Sequence, residues 1–132
     1  MKISKVAMAK IQLVLVELVS KINNVESGVI ATSDGMCLVS SDTDKEKQEK
    51  LAAMSSSLGA LGEAVIREVS EGQYMSVTVE ANNTKIFVLR ISEKPAFTLM
   101  LVSNNNALIG EIMYGAKRYG SELRELFTLI DK

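Results

Sequence analysis

The sequence of 132 residues contains neither histidine nor tryptophan, and it has one cysteine and one proline. Histidine is the most frequent general base and metal ligand in proteins, so its absence argues against most hydrolytic enzymes and against a metal site. The single cysteine, Cys37, has no partner for an internal disulfide, which favours a reducing compartment. We therefore expect a cytoplasmic protein without a metal ion.

An excess of charge of one sign is also missing. The 15 basic and 16 acidic residues give a formal net charge of -1. A nearly neutral chain has no general electrostatic attraction for nucleic acid or for an anionic membrane surface. We therefore predict that nucleic acid is not a partner.

Long hydrophobic runs are absent as well, since no stretch reaches the roughly 18 apolar residues of a membrane-spanning helix. The N-terminal segment does begin with basic residues and continue into an apolar run, as a signal peptide does. Gln12 and Glu17 interrupt that run, so we interpret residues 4–22 as an amphipathic helix and expect no membrane insertion. We predict one domain over residues 1–132, because this length suffices for one core.

Motifs for catalysis are not evident. None of the serines lies in a GxSxG motif, and Cys37 has no histidine to activate its thiol, so we interpret it as a buried structural residue. Gly59 and Gly62 form a GxxG pattern, which lies within a predicted helix and lacks the Lys-Ser ending of a nucleotide-binding loop. We predict that the protein is not an enzyme, with no catalytic residue and no cofactor.

Hydrophobic periodicity and turn signals divide the chain into eight elements. The predicted helices are residues 4–22, residues 45–70, and a segment that starts at Asn105 or Asn106 and runs toward Leu129. The predicted strands are residues 27–33 and 36–40, joined at Asp34-Gly35, then GQYMSVTVEA, KIFVLRI and AFTLMLV. This order predicts a three-layer α+β domain. We expect the alternating third strand at a sheet edge, because its two successors are apolar on both sides.

The helix predicted from Lys45 to Ser70 carries the strongest pattern, beginning at a capping box of Thr43 and Glu46. We predict that its large apolar residues pack on the protein's own core, namely Leu51, Met54, Leu58, Leu61, Val65 and Val69. The stretch between Lys50 and Glu63 has no charge and is rich in small residues. We predict that its small stripe contacts a partner, namely Ala52, Ser55, Ser56 and Gly59.

Four further features of the sequence are relevant to a known family. They are Gly28-Val29-Ile30 leading to Asp34-Gly35, then LAAMSSSLGALGEAVIREVSEG, then IFVLRI with FTLMLV, and finally ALIGEIMYGAKR. Their order and spacing resemble the roadblock family, the dynein light chain type that includes bacterial and archaeal regulators of small GTPases. The resemblance spans about Leu13 to Leu126, and it departs mildly from the family pattern at Met36-Cys37-Leu38.

The resemblance implies a roadblock/profilin-like fold, with a five-stranded antiparallel sheet in the order 2-1-5-4-3. The first and last helices are then expected on one face of the sheet and the central helix on the other. It also implies a homodimer in which the central helices pack side by side and the third strands join two sheets. The expected dimer or partner interface comprises Ala52, Ser55, Ser56, Gly59, Glu63, Tyr74, Ser76 and Thr78.

Three functions remain open at this point. The first, implied by the resemblance, is a non-catalytic homodimeric scaffold or regulator that binds a small Ras-like GTPase through its paired central helices. The second is an assembly adaptor of the dynein light chain kind without GTPase contact. The third is a sensor for a small ligand, although continuous apolar strands favour a filled core over a cavity. In the two assembly hypotheses, a leucine at Gly59 is predicted to weaken the dimer.

Overall fold

Three helices and five strands follow one another in the predicted order. The computed structural model describes residues 3–93 and 96–128. The elements are α1 (Lys5–Lys21), β1 (Val25–Thr32), β2 (Cys37–Ser40), α2 (Lys45–Val69), β3 (Ser76–Glu80), β4 (Thr84–Glu93), β5 (Ala96–Asn104) and α3 (Ile109–Thr128). Leu129, toward which the last helix is predicted to run, lies outside the described residues.

The strands form one antiparallel sheet in the order β2-β1-β5-β4-β3. This order confirms the predicted topology, including the position of β3 at an edge. The tight β1–β2 connection contains Gly35 at a φ of 88°, a conformation that glycine adopts without steric cost. Among the helices of the described residues, none combines the length and apolar character of a membrane span.

The bounds of α1 and α2 agree with the predictions to within one residue, whereas the start of α3 differs more. Asp44, and not the predicted Thr43, caps α2, because its carboxylate accepts a hydrogen bond from the backbone N–H of Lys47 at 3.3 Å. The last helix begins at Ile109, later than predicted, because Asn104 accepts a hydrogen bond from the backbone N–H of Asn106 and forms a turn there.

Helices cover both faces of the sheet. α1 and α3 lie together on one face over a large core, in which the rings of Phe97 and Phe127 stack with centroids 4.0 Å apart. α2 lies on the opposite face, where Val29, Ala31 and Ala52 form a buried apolar cluster and Tyr74, Val88 and Met100 are buried as well. The fold therefore matches the expected three-layer arrangement.

Candidate functional site

The inner side of α2 is lined by small residues that lie directly on the sheet. Ala52, Ser55 and Gly59 are all buried. Ser55 Oγ lies 2.9 Å from Thr98 Oγ1 on β5, so the two hydroxyls share a hydrogen bond inside the protein. A Cβ atom added at Gly59 would lie 2.6 Å from the hydroxyl oxygen of Tyr74, which leaves little room for a side chain. Small residues thus allow α2 to approach the sheet of its own chain closely.

The predicted orientation of α2 is therefore wrong. Ala52, Ser55 and Gly59 are predicted to contact a partner, whereas the structure buries them against the chain's own sheet. Of the large apolar residues predicted to face the core, Leu51 and Leu58 are half-buried, but the others lie on the outside, namely Met54, Leu61, Val65 and Val69. The physical reason is close packing: a helix that lies low on a sheet can present only small side chains to it. Its larger side chains then point away from the core.

Tyr74 fills the space between α2 and the start of β3. It is 6% exposed, and its ring lies beside Gly59 and Gly62. The guanidinium of Arg90 lies 5.8 Å from the ring centroid and donates a hydrogen bond to Gln73 Oε1 at 2.7 Å. Burial raises the pKa of the Tyr74 hydroxyl, and the positive charge of Arg90 partly opposes that shift. The prediction that Tyr74 faces a partner is wrong, because its own chain encloses it.

The outer face of α2 consists of large exposed apolar side chains with small residues between them. The exposed fractions are 55% for Met54, 61% for Leu61, 55% for Val65 and 77% for Val69. The small exposed residues between them are Ala53, Ser57, Ala60 and Ala64. Single exposed apolar residues are normal on a soluble protein, but a contiguous row marks an interaction site. The outer face is thus the candidate interaction surface, although the sequence prediction assigned its large residues to the core.

The edge strand β3 lies beside α2 at one side of the sheet. It pairs with β4 along its length, and its other edge is unpaired within the described part of the chain. Val77 packs under α2, since a Cβ atom added at Gly62 would lie 2.7 Å from its Cγ2 atom. Ser76 is half-buried and Thr78 is exposed, so their predicted role at an interface stays a prediction.

Ser56 and Glu63, the other predicted interface residues, lie on the flank of α2. Ser56 is half-buried and donates its hydroxyl to the carbonyl oxygen of Ser33. A carboxylate oxygen of Glu63 lies 3.7 Å from the Arg67 guanidinium one helical turn away. Both residues line a cleft of about 290 Å³ that extends to Arg90. They therefore border the outer face, while their contact with a partner stays a prediction.

The buried hydroxyl pair provides a test of how α2 is attached. Ser55→Ala is expected to lower the free energy of unfolding by about 1–3 kcal/mol, because the Thr98 hydroxyl loses its buried partner. Thr98→Val should have a similar effect. The double variant should lose less than the sum, because neither hydroxyl is left unpaired. Urea unfolding at one fixed protein concentration measures all four proteins, and additive losses would contradict the shared hydrogen bond.

Nucleophilic and metal chemistry finds little support in the described residues. Cys37, predicted to be a buried structural residue, lies at the start of β2 and is half-buried. Burial raises the pKa of its thiol, and the carboxylate of Glu49 acts in the same direction, so the thiol is protonated at neutral pH. Within residues 3–93 and 96–128, there is no group of three or more cysteine, aspartate or glutamate side chains that could hold a metal ion.

Several solved structures share this fold. A Roadblock/LC7 domain from Streptomyces avermitilis superposes with a TM-score of 0.83 at 20% identity, covering 89% of this chain and 97% of that chain. MglB from Myxococcus xanthus gives a TM-score of 0.85 at 16% identity, covering 100% of this chain and 98% of that chain. A structure described as MglB with tetrameric arrangement gives 0.81 at 16% identity, covering 93% and 91%.

The amino-acid sequence provides the evidence for the family. No individual curated protein sequence matches the chain significantly. The profile of the Roadblock/LC7 domain family matches residues 11–104, a range that includes α2, β3 and the whole sheet. Because this match covers more than half of the 132 residues, the chain belongs to the Roadblock/LC7 domain family.

Proposed function

We propose that the protein is a non-catalytic, cytoplasmic homodimer that binds a small Ras-like GTPase on a platform built from two copies of α2. Membership of the Roadblock/LC7 domain family supports this proposal, since the resemblance described above implies a platform for such GTPases. The observation that carries it is the outer face of α2, which is apolar, contiguous and uncovered in the single chain. A second copy is the occupant that fits this surface best.

Hydrophobic burial supplies the driving force for the proposed dimer. Each fully buried valine, leucine or methionine contributes about 1.5–3 kcal/mol relative to exposure. The four large residues of the outer face are all more than half exposed, namely Met54, Leu61, Val65 and Val69. In a twofold interface, each of them would be buried in both copies. The small residues between them allow two helices to approach closely. Such a face supports a stable dimer, even after the entropic cost of association is subtracted.

The unpaired edge of β3 supports the same dimer. An edge strand has free backbone donors and acceptors, and a second β3 strand can pair with them in antiparallel orientation. Ser76 and Thr78 would then lie at the junction of two sheets, and Ser56 and Glu63 beside the paired helices. In this arrangement both copies of α2 lie on the same face of a continuous sheet. A partner would contact a composite surface that exists only in the dimer.

The arginines of the chain support a role without a catalytic group. A GTPase-activating protein often supplies an arginine that stabilises the transition state. Here Arg67 lies 3.7 Å from Glu63, Arg90 donates to Gln73, and Arg124 donates to the carbonyl oxygen of Ile91 at 2.7 Å. Arg118 lies on α3, in the opposite layer from α2. We therefore propose that any effect on GTP hydrolysis acts through the conformation of the GTPase.

GTPase binding can be measured by fluorescence anisotropy. Small Ras-like GTPases from the source organism, loaded with a fluorescent non-hydrolysable GTP analogue, are titrated with the protein. We expect at least one GTPase to bind the wild type, and a dimer-deficient variant such as Leu61→Glu to bind it at least tenfold more weakly. Dimerisation without binding to any GTPase would contradict the proposal and favour the assembly adaptor. A small molecule that copurifies with the protein and is released on unfolding would favour the sensor.

A further inference from the structure

A second exposed apolar row lies on the other face of the sheet, along the side of α1 that points to solvent. Val6 is 66% exposed, Leu13 is 69% exposed and Val16 is 46% exposed, and Ala9 between them is exposed as well. We call these four residues the α1 stripe. The opposite side of the same helix contributes Ile11, Leu15 and Leu18 to the core, where all three are fully buried. α1 is therefore apolar on two opposite sides, and only one of them is covered.

The spacing of the α1 stripe is that of a helix-pairing seam. Its members follow one another at intervals of three, four and three residues, which is the pattern of a and d positions in a heptad repeat. Within that repeat Lys10 and Glu17 both occupy e positions, on the flank of the seam. Residues at e positions of antiparallel helix pairs meet across the interface. The identity of these two residues therefore determines what kind of helix fits the stripe.

The charges at the two e positions are opposite and symmetric about Leu13. Lys10 and Glu17 are seven residues apart, about 10.5 Å along the helix, and their midpoint lies next to Leu13. In an antiparallel pair of identical helices centred there, Lys10 of each copy lies opposite Glu17 of the other. Neither residue belongs to the ion pairs formed within the described part of the chain. In a parallel pair in register, Lys10 would lie level with the other Lys10 and Glu17 level with the other Glu17. The charge complementarity would then be lost.

We propose that the α1 stripe is a second self-association surface, in which α1 helices of two copies pack antiparallel with Lys10 and Glu17 in reciprocal ion pairs. The surface is separate from the outer face of α2, since the two helices cover opposite faces of the sheet. Four small or medium apolar residues per chain make a small interface, so association is weak and falls in the range of about 10–100 µM. With the proposed α2 dimer also present, the product is a tetramer.

Analytical ultracentrifugation from about 5 µM to about 500 µM tests this surface, because the two interfaces differ in strength. We expect the wild type to change from dimer to tetramer over this range. Leu13→Glu should stay a dimer, with the dissociation constant of the tetramer raised at least about a hundredfold. Leu61→Glu should change from monomer to dimer over the same range. A Leu61→Glu variant that associates in this way supports the α1 surface even if the α2 dimer fails.

Charge reversal distinguishes self-pairing from every other occupant. Lys10→Glu and Glu17→Lys should each weaken association about tenfold, because attraction is replaced by repulsion at two symmetric points. The double variant Lys10→Glu/Glu17→Lys should return to within about threefold of the wild type, since the reciprocal pairs are restored. Leu108→Glu is the matched control, because Leu108 is 60% exposed and lies outside the α1 stripe. It should associate as the wild type does.

Two results would overturn the proposal. One is a sedimentation result against self-pairing, that is, an unchanged mass distribution for Leu13→Glu together with a double charge variant as weak as either single one. The other is sedimentation of the wild type with phosphatidylglycerol vesicles, enhanced by Glu17→Lys and abolished by Leu13→Glu. That pattern would assign the α1 stripe to an anionic membrane surface, which responds to net positive charge and not to reciprocal pairing. Circular dichroism of each variant confirms that exposed substitutions leave the fold intact.

Discussion

Replacing Leu61 with glutamate is expected to convert the protein from a dimer to a monomer at low micromolar concentration. Leu61 lies in the middle of the outer face of α2 and is 61% exposed in the single chain. In a twofold interface the substitution removes two buried leucines and places two carboxylates in an apolar contact. The combined cost is at least about 4 kcal/mol, which corresponds to about a thousandfold weaker dimer. Light scattering coupled to size exclusion measures the mass directly.

The matched control for this experiment is Leu13→Glu. Leu13 is 69% exposed on α1, on the opposite face of the sheet, so the same substitution introduces the same charge at a comparable exposure. At about 5 µM it should leave the α2 dimer intact. If Leu61→Glu remains dimeric with an unchanged elution volume, the outer face of α2 is not the dimer interface. The GTPase platform proposed above would then have no structural basis.

Replacing Gly59 with leucine is expected to lower the free energy of unfolding by about 2 kcal/mol. An added Cβ atom at this position would already lie 2.6 Å from the Tyr74 hydroxyl and 3.5 Å from Thr98 Cγ2. A leucine therefore displaces Tyr74 or lifts α2 from the sheet, at a cost near the upper end of the usual range of about 1–3 kcal/mol. Loss of a helical glycine offsets about 1 kcal/mol. Urea unfolding at fixed protein concentration gives the value.

Gly110 provides the control for the glycine substitution. It also lies in a helix, but a Cβ atom added there has no neighbour within 4 Å. Gly110→Leu should therefore leave stability unchanged or raise it slightly. A Gly59→Leu protein as stable as the wild type but monomeric would contradict the structure. It would instead support the orientation predicted from the sequence, in which Gly59 faces a partner.

The order of the elements and the edge position of β3 were predictable because each depends on local patterns, whereas the full strand order was implied by the resemblance to the roadblock family. The Asp34-Gly35 turn, the alternation in β3 and the apolar runs of β4 and β5 each report the environment of one strand. The position of β3 at the edge followed from the contrast between alternating and continuous patterns. The ends of several helices and strands differ from the prediction by up to about four residues, and α3 begins late because the side chain of Asn104 forms a turn before it.

The orientation of α2 could not be predicted from its periodicity. A helix with one apolar face normally turns that face to the core, but α2 has an apolar row and a small-residue row, and either can be buried. The rule that larger residues go inside does not apply to α2 in the proposed dimer, because a second copy covers them there. A usable signal was the pair Gly59 and Gly62 with Tyr74 nearby in the chain, since a large ring needs space that glycines provide. The sequence alone did not reveal that contact.

Because α2 packs closely on its sheet, its two sides differ in the substitutions that they tolerate. On the inner side, the hydroxyl of Ser55 and the missing side chain of Gly59 limit substitution to residues of almost the same size. On the outer side, where Met54 and Leu61 touch nothing tightly, side chains can diverge without disturbing the protomer. Related chains can therefore acquire new binding preferences by changing every third or fourth residue of α2, while the architecture that presents them is inherited intact.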